Sequence, residues 1–479
     1  MPAIISNRRY TKGMASSSRR TFHAVHFVGI GGIGMSALAR YFLKLGTHPS
    51  IRRSWIISGS DAERSAITDA LRREGVTVKI GHKASNISPK TGLVIYNRAI
   101  PADNPEVKEA RRRGIPAVPY ADVLGEITKG HMTIAITGSH GKTTTTALTG
   151  VVLMNAKLDP TILVGSMLKE LGGRNVRVGR SPCLVLEADD FGAAFLAYTP
   201  SIAVVTNVDR EHLDFYKTFG AVKKAFVSFL ARTIPRGVMI LNADDPPLAG
   251  LRPKIERIAQ AIDAKTVWYS IRNAPGTVRA PVEKIKKHLM IAGAHNLSNA
   301  TAAYHVGRTL KISEKAIIRG LASYRGAWRR MEYRGRAGRA KVFDDYAHHP
   351  SELRATLAAF REKFPSSPLI AVFEPHQSKR LELLFKDFVT SFADADAVVI
   401  LPTYAVKGRD RKPRVTAEDL ADAIRKKFPR KPVAYLAKPG RVGRVVRETV
   451  DALPGSPVIA MLGAGTIANL TPRILDRAV

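Results

Sequence analysis

The chain has 479 residues, of which 45% are hydrophobic and 24% are charged, as in ordinary soluble globular proteins. This length predicts about three domains. No run of about 18 purely apolar residues occurs, so we expect no membrane span. Cys183 is the lone cysteine, which excludes an internal disulfide and favours a reducing compartment. We therefore expect a cytoplasmic protein.

The charge balance is strongly basic, with 75 Lys and Arg residues against 40 Asp and Glu residues. Such an excess is one signature of nucleic-acid binding. The basic residues are spread along the chain, however, with only short clusters such as Arg111–Arg113, and no basic motif is interleaved with aromatic residues. We interpret the charge as a solvated basic surface that also suits a phosphate-bearing substrate, and we expect no nucleic-acid partner.

The N-terminal segment, residues 1–24, holds five Arg and Lys residues, several serines and no acid. This composition predicts a basic disordered tail. A transit-like peptide, or an upstream start with Met14 as the true first residue, would give the same pattern.

From residue 25 onwards, short apolar runs alternate with helical patterns, which predicts α/β units. Most of the runs show no polar alternation, as is typical of parallel strands that are buried on both faces. We predict domains at residues 25–120, 121–326 and 327–479.

The first glycine turn lies in "VHFVGIGGIGMSALA", a strand followed by a turn and a helix. Gly29, Gly31 and Gly34 match G-x-G-x-x-G, in which the backbone approaches a diphosphate at a helix N-terminus. Asp61 closes the next predicted strand, where an acid can bind ribose hydroxyls. The pattern does not distinguish NAD from a UDP-sugar, and a tight turn without a ligand is the structural alternative.

The second glycine turn lies in "TIAITGSHGKTTTT" and places Lys142 and Thr143 after Gly141 at a strand-to-helix junction. The usual P-loop has glycine six residues before the lysine, where Ile136 stands here, so this loop is a shorter variant. Backbone amides, a lysine and a following hydroxyl are the groups that bind nucleotide phosphates and Mg²⁺. The loop predicts ATP binding, which a nicotinamide oxidoreductase built on the first turn would leave unexplained.

Metal candidates follow at later strand ends, with Glu187 in "LVLEAD" and His212 in "TNVDREHLD". Mg²⁺ prefers oxygen ligands, so one or two carboxylates and the ATP phosphates suffice. From the residues alone, His212 is more readily a polar loop residue than a metal ligand.

The chain from about residue 23 to its C-terminus resembles the Mur ligase family. The resemblance rests on the order of motifs that includes "GIGGIGMS", "TGSHGKTTTT", "EAD", "TNVDREHLD", "GAHNLSNATAA", "WRRM", "FDDYAHHPSEL" and "EPHQSKR". It implies three α/β domains: an N-terminal Rossmann-like UDP-binding domain, a central P-loop ATPase domain with a mostly parallel sheet, and a C-terminal Rossmann-like domain.

The resemblance also implies an ADP-forming ligase of peptidoglycan precursor synthesis. ATP would activate the carboxylate of UDP-N-acetylmuramate as an acyl phosphate, and L-alanine would attack it to form an amide. The alternative is a murein-recycling ligase that adds a tripeptide to the same nucleotide sugar. The expected cofactors are ATP and Mg²⁺, and the expected state is a monomer or homodimer.

Site residues are carried over from the matching motifs. The expected ATP contacts are Gly138, Ser139, His140, Gly141, Lys142, Thr143, Thr144, Asn296 (adenine), Arg330 (phosphates) and Asp345 (ribose). The expected substrate contacts are Gly31, Gly32, Gly34, Ser36, Asp61 and His82 for the UDP-sugar, and Tyr346 and His376 for the amino acid. The expected metal ligands are Thr143, Glu187 and His212, and the expected catalytic residues are Lys142, Glu187, His212, His348 and Arg380.

Three positions depart from the family pattern. The acidic "EADESD" of the family reads "EADDFG" here. Gln377 replaces an arginine expected near the carboxylate of the amino acid, which leaves the choice of amino acid open because bidentate capture is weakened. Arg409 stands where the family usually has an acid.

Overall fold

The computed structural model describes residues 24–46, 55–97, 99–272, 274–405 and 414–475. Its strands form three sheets of five, seven and six strands. The chain divides into two compact units, the first running to Leu289 and including Ser298–Arg325, the second comprising Met290–Leu297 and the chain from Gly326. The first two sheets lie in the first unit and the third sheet lies in the second.

The first sheet is wholly parallel, in the order β3-β2-β1-β4-β5. Its strands are β1 Ala24–Val28, β2 Ile56–Asp61, β3 Thr77–Ile80, β4 Leu93–Tyr96 and β5 Ala117–Pro119. Its helices are α1 Ile33–Gly46, α2 Ala66–Arg73, α3 Pro105–Arg112 and α4 Tyr120–Lys129. Asn104 caps α3 by accepting the amides of Glu106 and Val107, so this helix begins where an N-cap residue and a proline meet.

The second sheet has the order β12-β11-β10-β6-β9-β7-β8 and is parallel except for the β7–β8 pair. Its strands are β6 Met132–Thr137, β7 Thr161–Leu168, β8 Arg174–Arg177, β9 Cys183–Glu187, β10 Ile202–Val205, β11 Val238–Asn242 and β12 Lys265–Tyr269. The helices of this part of the chain are α5 Lys142–Asn155, α6 Leu213–Tyr216, α7 Phe219–Leu230, α8 Pro246–Ala249, α9 Arg252–Ala261, α10 Val282–His288, α11 Ala294–Thr309 and α12 Glu314–Ser323. The division between the two units falls within α11.

The third sheet has the order β13-β14-β18-β15-β16-β17 and is parallel except for the β13–β14 pair. Its strands are β13 Glu332–Ala337, β14 Ala340–Asp345, β15 Leu369–Phe373, β16 Ala397–Ile400, β17 Val433–Tyr435 and β18 Val458–Leu462. Its helices are α13 Pro350–Lys363, α14 Ser378–Leu383, α15 Phe385–Thr390, α16 Ala417–Lys427 and α17 Val442–Ala452. Short 3₁₀ segments occupy Ala84–Asn86, Lys169–Leu171, Phe191–Ala197, Pro439–Arg441, Ile467–Asn469 and Thr471–Arg473.

The central strands are buried along their whole length, as β1, β10, β15 and β18 show. This is why the apolar runs in the sequence lack polar alternation. β1 lies between β2 and β4, and β6 lies between β9 and β10. In each case the strand order reverses at the strand that leads into a glycine turn, and ligands of open α/β sheets bind in the crevice at such a point.

The predicted fold class, three mostly parallel α/β sheets in succession, is confirmed. The domain boundaries at residues 25–120, 121–326 and 327–479 remain predictions. The predicted tail covers residues 1–24. Residues 1–23 lie outside the described part of the chain, and Ala24 is the first residue of β1. Among the described residues, no helix combines the length and apolar character that a membrane crossing requires.

Phe195 tests the packing of the central sheet. Its fully buried ring stacks on Phe229 with centroids 5.0 Å apart and meets Phe226 edge-on at 5.4 Å. We expect Phe195→Ala to lower the free energy of unfolding by about 3–5 kcal/mol, because the cavity cannot close fully. Phe215→Ala, at a ring that is 48% exposed, should cost much less. Urea unfolding followed by circular dichroism compares the two, and equal losses would contradict the packing argument.

Candidate functional site

The second glycine turn connects β6 to α5 and is held from outside by Asn207. The Asn207 side chain accepts the amide of His140 at 2.8 Å and donates to its carbonyl at 3.0 Å. Gly138 has φ +143° and Gly141 has φ +80°, values that favour glycine. A Cβ atom on Gly138 would lie 2.0 Å from the Thr206 hydroxyl oxygen. The loop is therefore preformed, with its backbone fixed before any ligand binds.

Lys142 is the partly buried cation of this loop. Its Nζ donates to the carbonyls of Gly138 at 2.7 Å and Ser139 at 3.1 Å, and to Asp190 Oδ1 at 2.8 Å. Burial alone would lower the pKa of Lys142, but the Asp190, Asp189 and Glu187 carboxylates hold that pKa above its usual value. The lysine is therefore charged, and its ammonium group lies at the mouth of the glycine turn.

Glu187 ends β9 beside this turn. Its Oε1 accepts the Thr143 hydroxyl at 2.9 Å and its Oε2 accepts the Gly165 amide at 2.6 Å. Burial raises the pKa of Glu187, and the amide of Gly165 opposes that rise. A Cβ atom on Gly165 would lie 2.5 Å from Glu187 Oε1. The position of this carboxylate thus depends on a glycine in the neighbouring strand.

A second group of possible metal ligands lies beside Lys142. Asp189, Asp190 and His212 each offer a ligand atom, and these atoms lie within 4.8 Å of one another. The Oδ2 atom of Asp190 is buried and has no hydrogen-bond partner among the described residues. His212 is the N-cap residue of α6, with φ +54°, and its Nε2 lies 3.8 Å from Asp190 Oδ1. Carboxylate oxygens that converge in this way fit a divalent cation such as Mg²⁺.

The first glycine turn connects β1 to α1 and is tied to β2. The amides of Gly29 and Ile30 donate to the Ser60 carbonyl at 2.8 and 2.9 Å. The Gly31 amide donates to Asp61 Oδ2 at 2.8 Å, so Asp61 holds the turn itself. A Cβ atom on Gly34 would lie 2.8 Å from the Tyr120 hydroxyl oxygen, which explains the glycine by close packing of α1 against α4.

Ser36 and His82 occupy different surroundings near this turn. Ser36 is fully buried, donates to the Ile33 carbonyl at 2.9 Å and accepts from the Asn175 side chain at 3.1 Å. His82 follows β3 and is 20% exposed, with its Nδ1 2.9 Å from the Ser60 hydroxyl oxygen. Of these two predicted substrate contacts, His82 has the more accessible side chain.

In the second unit, four predicted residues lie in one cluster of rings and cations. The Tyr346 and His348 rings are 5.4 Å apart, and those of His348 and His376 are 5.7 Å apart. Arg380 Nη1 lies 3.2 Å from His376 Nδ1. His376 stacks at 5.3 Å on Tyr404, which our sequence interpretation did not name as a site residue.

Of the other predicted residues of this unit, Asp345 and Asn296 bind backbone groups and Arg330 lies beside an aromatic ring. Asp345 ends β14, and its carboxylate accepts the amides of Met331 and Ala347, each at 2.8 Å. The Asn296 side chain donates to the Ala292 carbonyl at 2.7 Å. The Arg330 guanidinium lies 5.4 Å from the centre of the Tyr346 ring. Their contacts with ATP remain predictions.

Two departures from the family pattern have structural counterparts, and one does not. Asp190, the second aspartate of "EADDFG", is the ion-pair partner of Lys142. Gln377 has φ +68° at the start of α14, in a backbone region that strains a residue with a side chain. Arg409 lies outside the described residues.

The sequence interpretation did not identify Asp189, Asp190 and Asn207, which surround the second glycine turn and Lys142. Their signal was their place directly after β9 and β10, since carboxyl ends of neighbouring parallel strands meet at one edge. Asn207 carries no charge, and only its double hydrogen bond to His140 reveals its role.

Three known domain families match successive parts of the chain. Residues 24–132 match the Mur ligase family, catalytic domain; residues 136–307 match the Mur ligase middle domain; and residues 329–465 match the Mur ligase, glutamate ligase domain.

Relatives match over nearly their full length. A UDP-N-acetylmuramate–L-alanine ligase of Aquifex aeolicus is 38% identical over 469 residues, covering 94% of this chain and 97% of that protein. The enzyme of the same name from Syntrophus aciditrophicus is 37% identical over 476 residues, covering 96% and 94%.

Solved structures agree in fold. UDP-N-acetylmuramate-alanine ligase of Thermotoga maritima has a TM-score of 0.75 at 25% identity, covering 94% of this chain and 98% of that one. A murein peptide ligase of Psychrobacter arcticus has a TM-score of 0.66 at 21% identity, with 94% and 98% covered, which shows the fold alone.

Gly165 provides a test of the carboxylate position. We expect Gly165→Ala to reduce ATP-dependent turnover by about a hundredfold. The added methyl group would displace the Glu187 carboxylate, and a shift of about 1 Å in a catalytic group can slow a reaction by that factor. Gly220→Ala is the matched control, since its Cβ would meet only the Thr218 hydroxyl oxygen at 3.8 Å. Phosphate release and thermal midpoints of both variants are the measurements. Full turnover by a folded Gly165→Ala protein would contradict the role of Glu187.

Proposed function

The chain belongs to the Mur ligase family, and from this premise we propose that it joins L-alanine to UDP-N-acetylmuramate with hydrolysis of ATP to ADP and phosphate. The observation that carries the proposal is the full-length similarity to ligases of this name together with a preformed phosphate cradle around a charged Lys142. The reaction belongs to peptidoglycan precursor synthesis, and we place it in the cytoplasm, where ATP is available.

The chemistry requires that a carboxylate become an acyl donor. A carboxylate oxygen of the muramyl group attacks the γ-phosphorus of ATP, the bond to the bridging oxygen breaks, and ADP leaves. The amino group of alanine then attacks the acyl phosphate carbon, inorganic phosphate leaves and one proton is lost from nitrogen. Phosphoryl transfer between two anions depends chiefly on alignment and charge neutralisation.

The residues of the central sheet suit the first step. The amides of the Gly138–Gly141 turn would bind the phosphates at the N-terminus of α5, and the Lys142 ammonium would neutralise their charge. Lys142 now donates to two loop carbonyls and to Asp190, and reorientation toward a phosphate oxygen would keep it near the same acid. The backbone therefore requires little rearrangement.

Mg²⁺ fits the same edge of the sheet. Thr143, Glu187 and His212 would hold it directly or through water, with Asp189 and Asp190 adjacent. The ion would supply charge neutralisation at the β and γ oxygens. The surrounding residues hold the carboxylates in place. The assignment of a Mg²⁺ site to this edge is supported by Asp190, because its buried Oδ2 atom has no hydrogen-bond partner among the described residues.

The aromatic and basic cluster of the second unit suits the amino acid. Arg380 and His376 would bind its carboxylate. His348 Nδ1 lies 3.0 Å from Glu352 Oε2, so the carboxylate favours a proton on Nδ1 and leaves Nε2 as the basic nitrogen. We assign to His348 the removal of the proton from the amino group.

The decisive assay is phosphate release with UDP-N-acetylmuramate and a panel of free amino acids. We expect L-alanine to give the highest kcat/KM, with little release when either partner is omitted. The tripeptide of murein recycling is included as the comparison, and product mass spectrometry identifies the amide. A clear preference for the tripeptide would assign the chain to the recycling reaction instead.

Lys142 tests the assignment of the two glycine turns. We expect Lys142→Ala to reduce turnover by at least about a hundredfold, because a charge at the developing transition state is lost. UDP binding should persist, because it belongs to the turn on the first sheet. Lys169→Ala, at an exposed lysine of the same unit, is the control for charge. Near-normal turnover by Lys142→Ala would refute the ATP site, and calorimetric titration with UDP checks the other turn.

A further inference from the structure

A buried carboxylate lies beneath the predicted UDP site. Glu106, in the first turn of α3, is fully buried. Its Oε2 lies 2.5 Å from the Ser60 hydroxyl oxygen and 3.4 Å from His26 Nε2. Its Oε1 lies 2.5 Å from the Asn86 side-chain nitrogen and 3.3 Å from the Lys83 amide nitrogen. Every one of these partners can donate a hydrogen.

The charge of Glu106 follows from these donors. Burial raises its pKa, but the hydrogen bonds from His26, Ser60 and Asn86 outweigh burial and hold the pKa below its usual value. The group is therefore an ionised carboxylate, which can only accept hydrogen bonds. The single proton of the Ser60 hydroxyl must point toward it.

The direction of the Ser60 proton determines which ring nitrogen of His82 carries a hydrogen. The Ser60 oxygen lies 2.9 Å from His82 Nδ1. Because the Ser60 proton is directed to Glu106, the serine oxygen can only accept at this contact, and Nδ1 of His82 must carry the hydrogen. In the neutral imidazole, Nε2 is then an acceptor. Among the described residues, His82 makes hydrogen bonds through Nδ1 alone.

His82 also has the right location for a nucleoside. It follows Gly81, whose amide donates to the Asp61 carbonyl at 2.7 Å, and the Asp61 side chain binds the Gly31 amide. β1, β2 and β3 are adjacent parallel strands, so the glycine turn, Asp61 and His82 follow one another along a single carboxyl edge. A diphosphate on the turn would direct the rest of the nucleotide along this edge.

We infer that Glu106 and Ser60 are positioning residues that hold His82 in the Nδ1-protonated tautomer, so that its Nε2 accepts a hydrogen bond from the nucleoside of the UDP-sugar. The inference rests on the proposed function in placing the UDP end on the first sheet. The donors of that nucleoside are the uracil N3–H group and the ribose hydroxyls. A nucleotide that lacks this donor would therefore bind more weakly, because the hydrogen bond to His82 Nε2 would be lost.

Nucleotide binding to the full chain tests this inference without the ligase reaction. Calorimetric titration compares UDP with N3-methyl-UDP, 2′-deoxy-UDP and 3′-deoxy-UDP. The wild type is expected to bind at least one analogue about tenfold more weakly than UDP, the usual effect of one lost hydrogen bond. The analogue that loses affinity identifies whether the donor is the base or a ribose hydroxyl.

The variants separate positioning from general support of the fold. His82→Ala should bind UDP and the affected analogue alike. In Glu106→Gln, the amide can donate to the Ser60 oxygen, so the Ser60 proton becomes free to point to His82. Ser60→Ala removes the hydroxyl that connects Glu106 to His82 and leaves the other Glu106 contacts in place. Both should bring the UDP-to-analogue affinity ratio from about ten to near one. Glu109→Gln, at a carboxylate of the same helix that pairs with Arg112 and Arg113, should keep the wild-type ratio.

Several outcomes would overturn the inference. The first is equal affinity of the wild type for UDP and all three analogues. The second is a UDP-to-analogue affinity ratio in Ser60→Ala as high as in the wild type. The third is an equal loss of affinity for every nucleotide in the Glu106→Gln and Ser60→Ala variants, together with a lowered thermal midpoint. The amide-forming assay distinguishes the two proposals, because product formed with L-alanine alongside any of these results leaves the proposed function standing. A wild type that bound no UDP would contradict both.

Discussion

A partly buried positive charge at the carboxyl end of β6 governs the arrangement of the central sheet. The Lys142 ammonium must be balanced, and Asp190 and two loop carbonyls balance it. This requirement brings the end of β9 against the turn after β6, and Glu187 with it. The proposed phosphate site thus already contains acids that suit a divalent cation, and we propose that a bound nucleotide exchanges partners within this set of charges.

The first sheet also has a charged group beside its glycine turn, but this charge is negative. There the buried charge is the Glu106 carboxylate, and serine, histidine, asparagine and backbone donors surround it. Both glycine turns lie where the strand order reverses, and both are held in shape by side chains from neighbouring strands. In the second turn, Lys142 binds two loop carbonyls directly. Glu106 acts on the first turn only through Ser60, whose hydroxyl donates to Glu106 and whose carbonyl accepts two amides of the turn.

In the second unit, the predicted residues are held together by contacts between aromatic rings rather than around a buried charge. Tyr346, His348, His376 and Tyr404 meet through ring contacts, and Arg380 pairs with His376. Gln377 stands next to this cluster with a strained backbone. Gln377 replaces the arginine expected near the carboxylate of the amino acid, and we propose that this replacement influences which amino acid binds at the cluster.

The sequence alone determined the succession of α/β units, both glycine turns and the family, because strand burial, glycine spacing and motif order are local properties of the chain. It also indicated Glu187 and His212 as strand-end residues. It could not reveal that Asp190 pairs with Lys142, that Gly165 makes room for Glu187, or that Ser60 connects Glu106 to His82. These partners are 22 to 48 residues apart in the chain. Only the packing of parallel strands, which aligns their carboxyl ends, brings them within hydrogen-bonding distance.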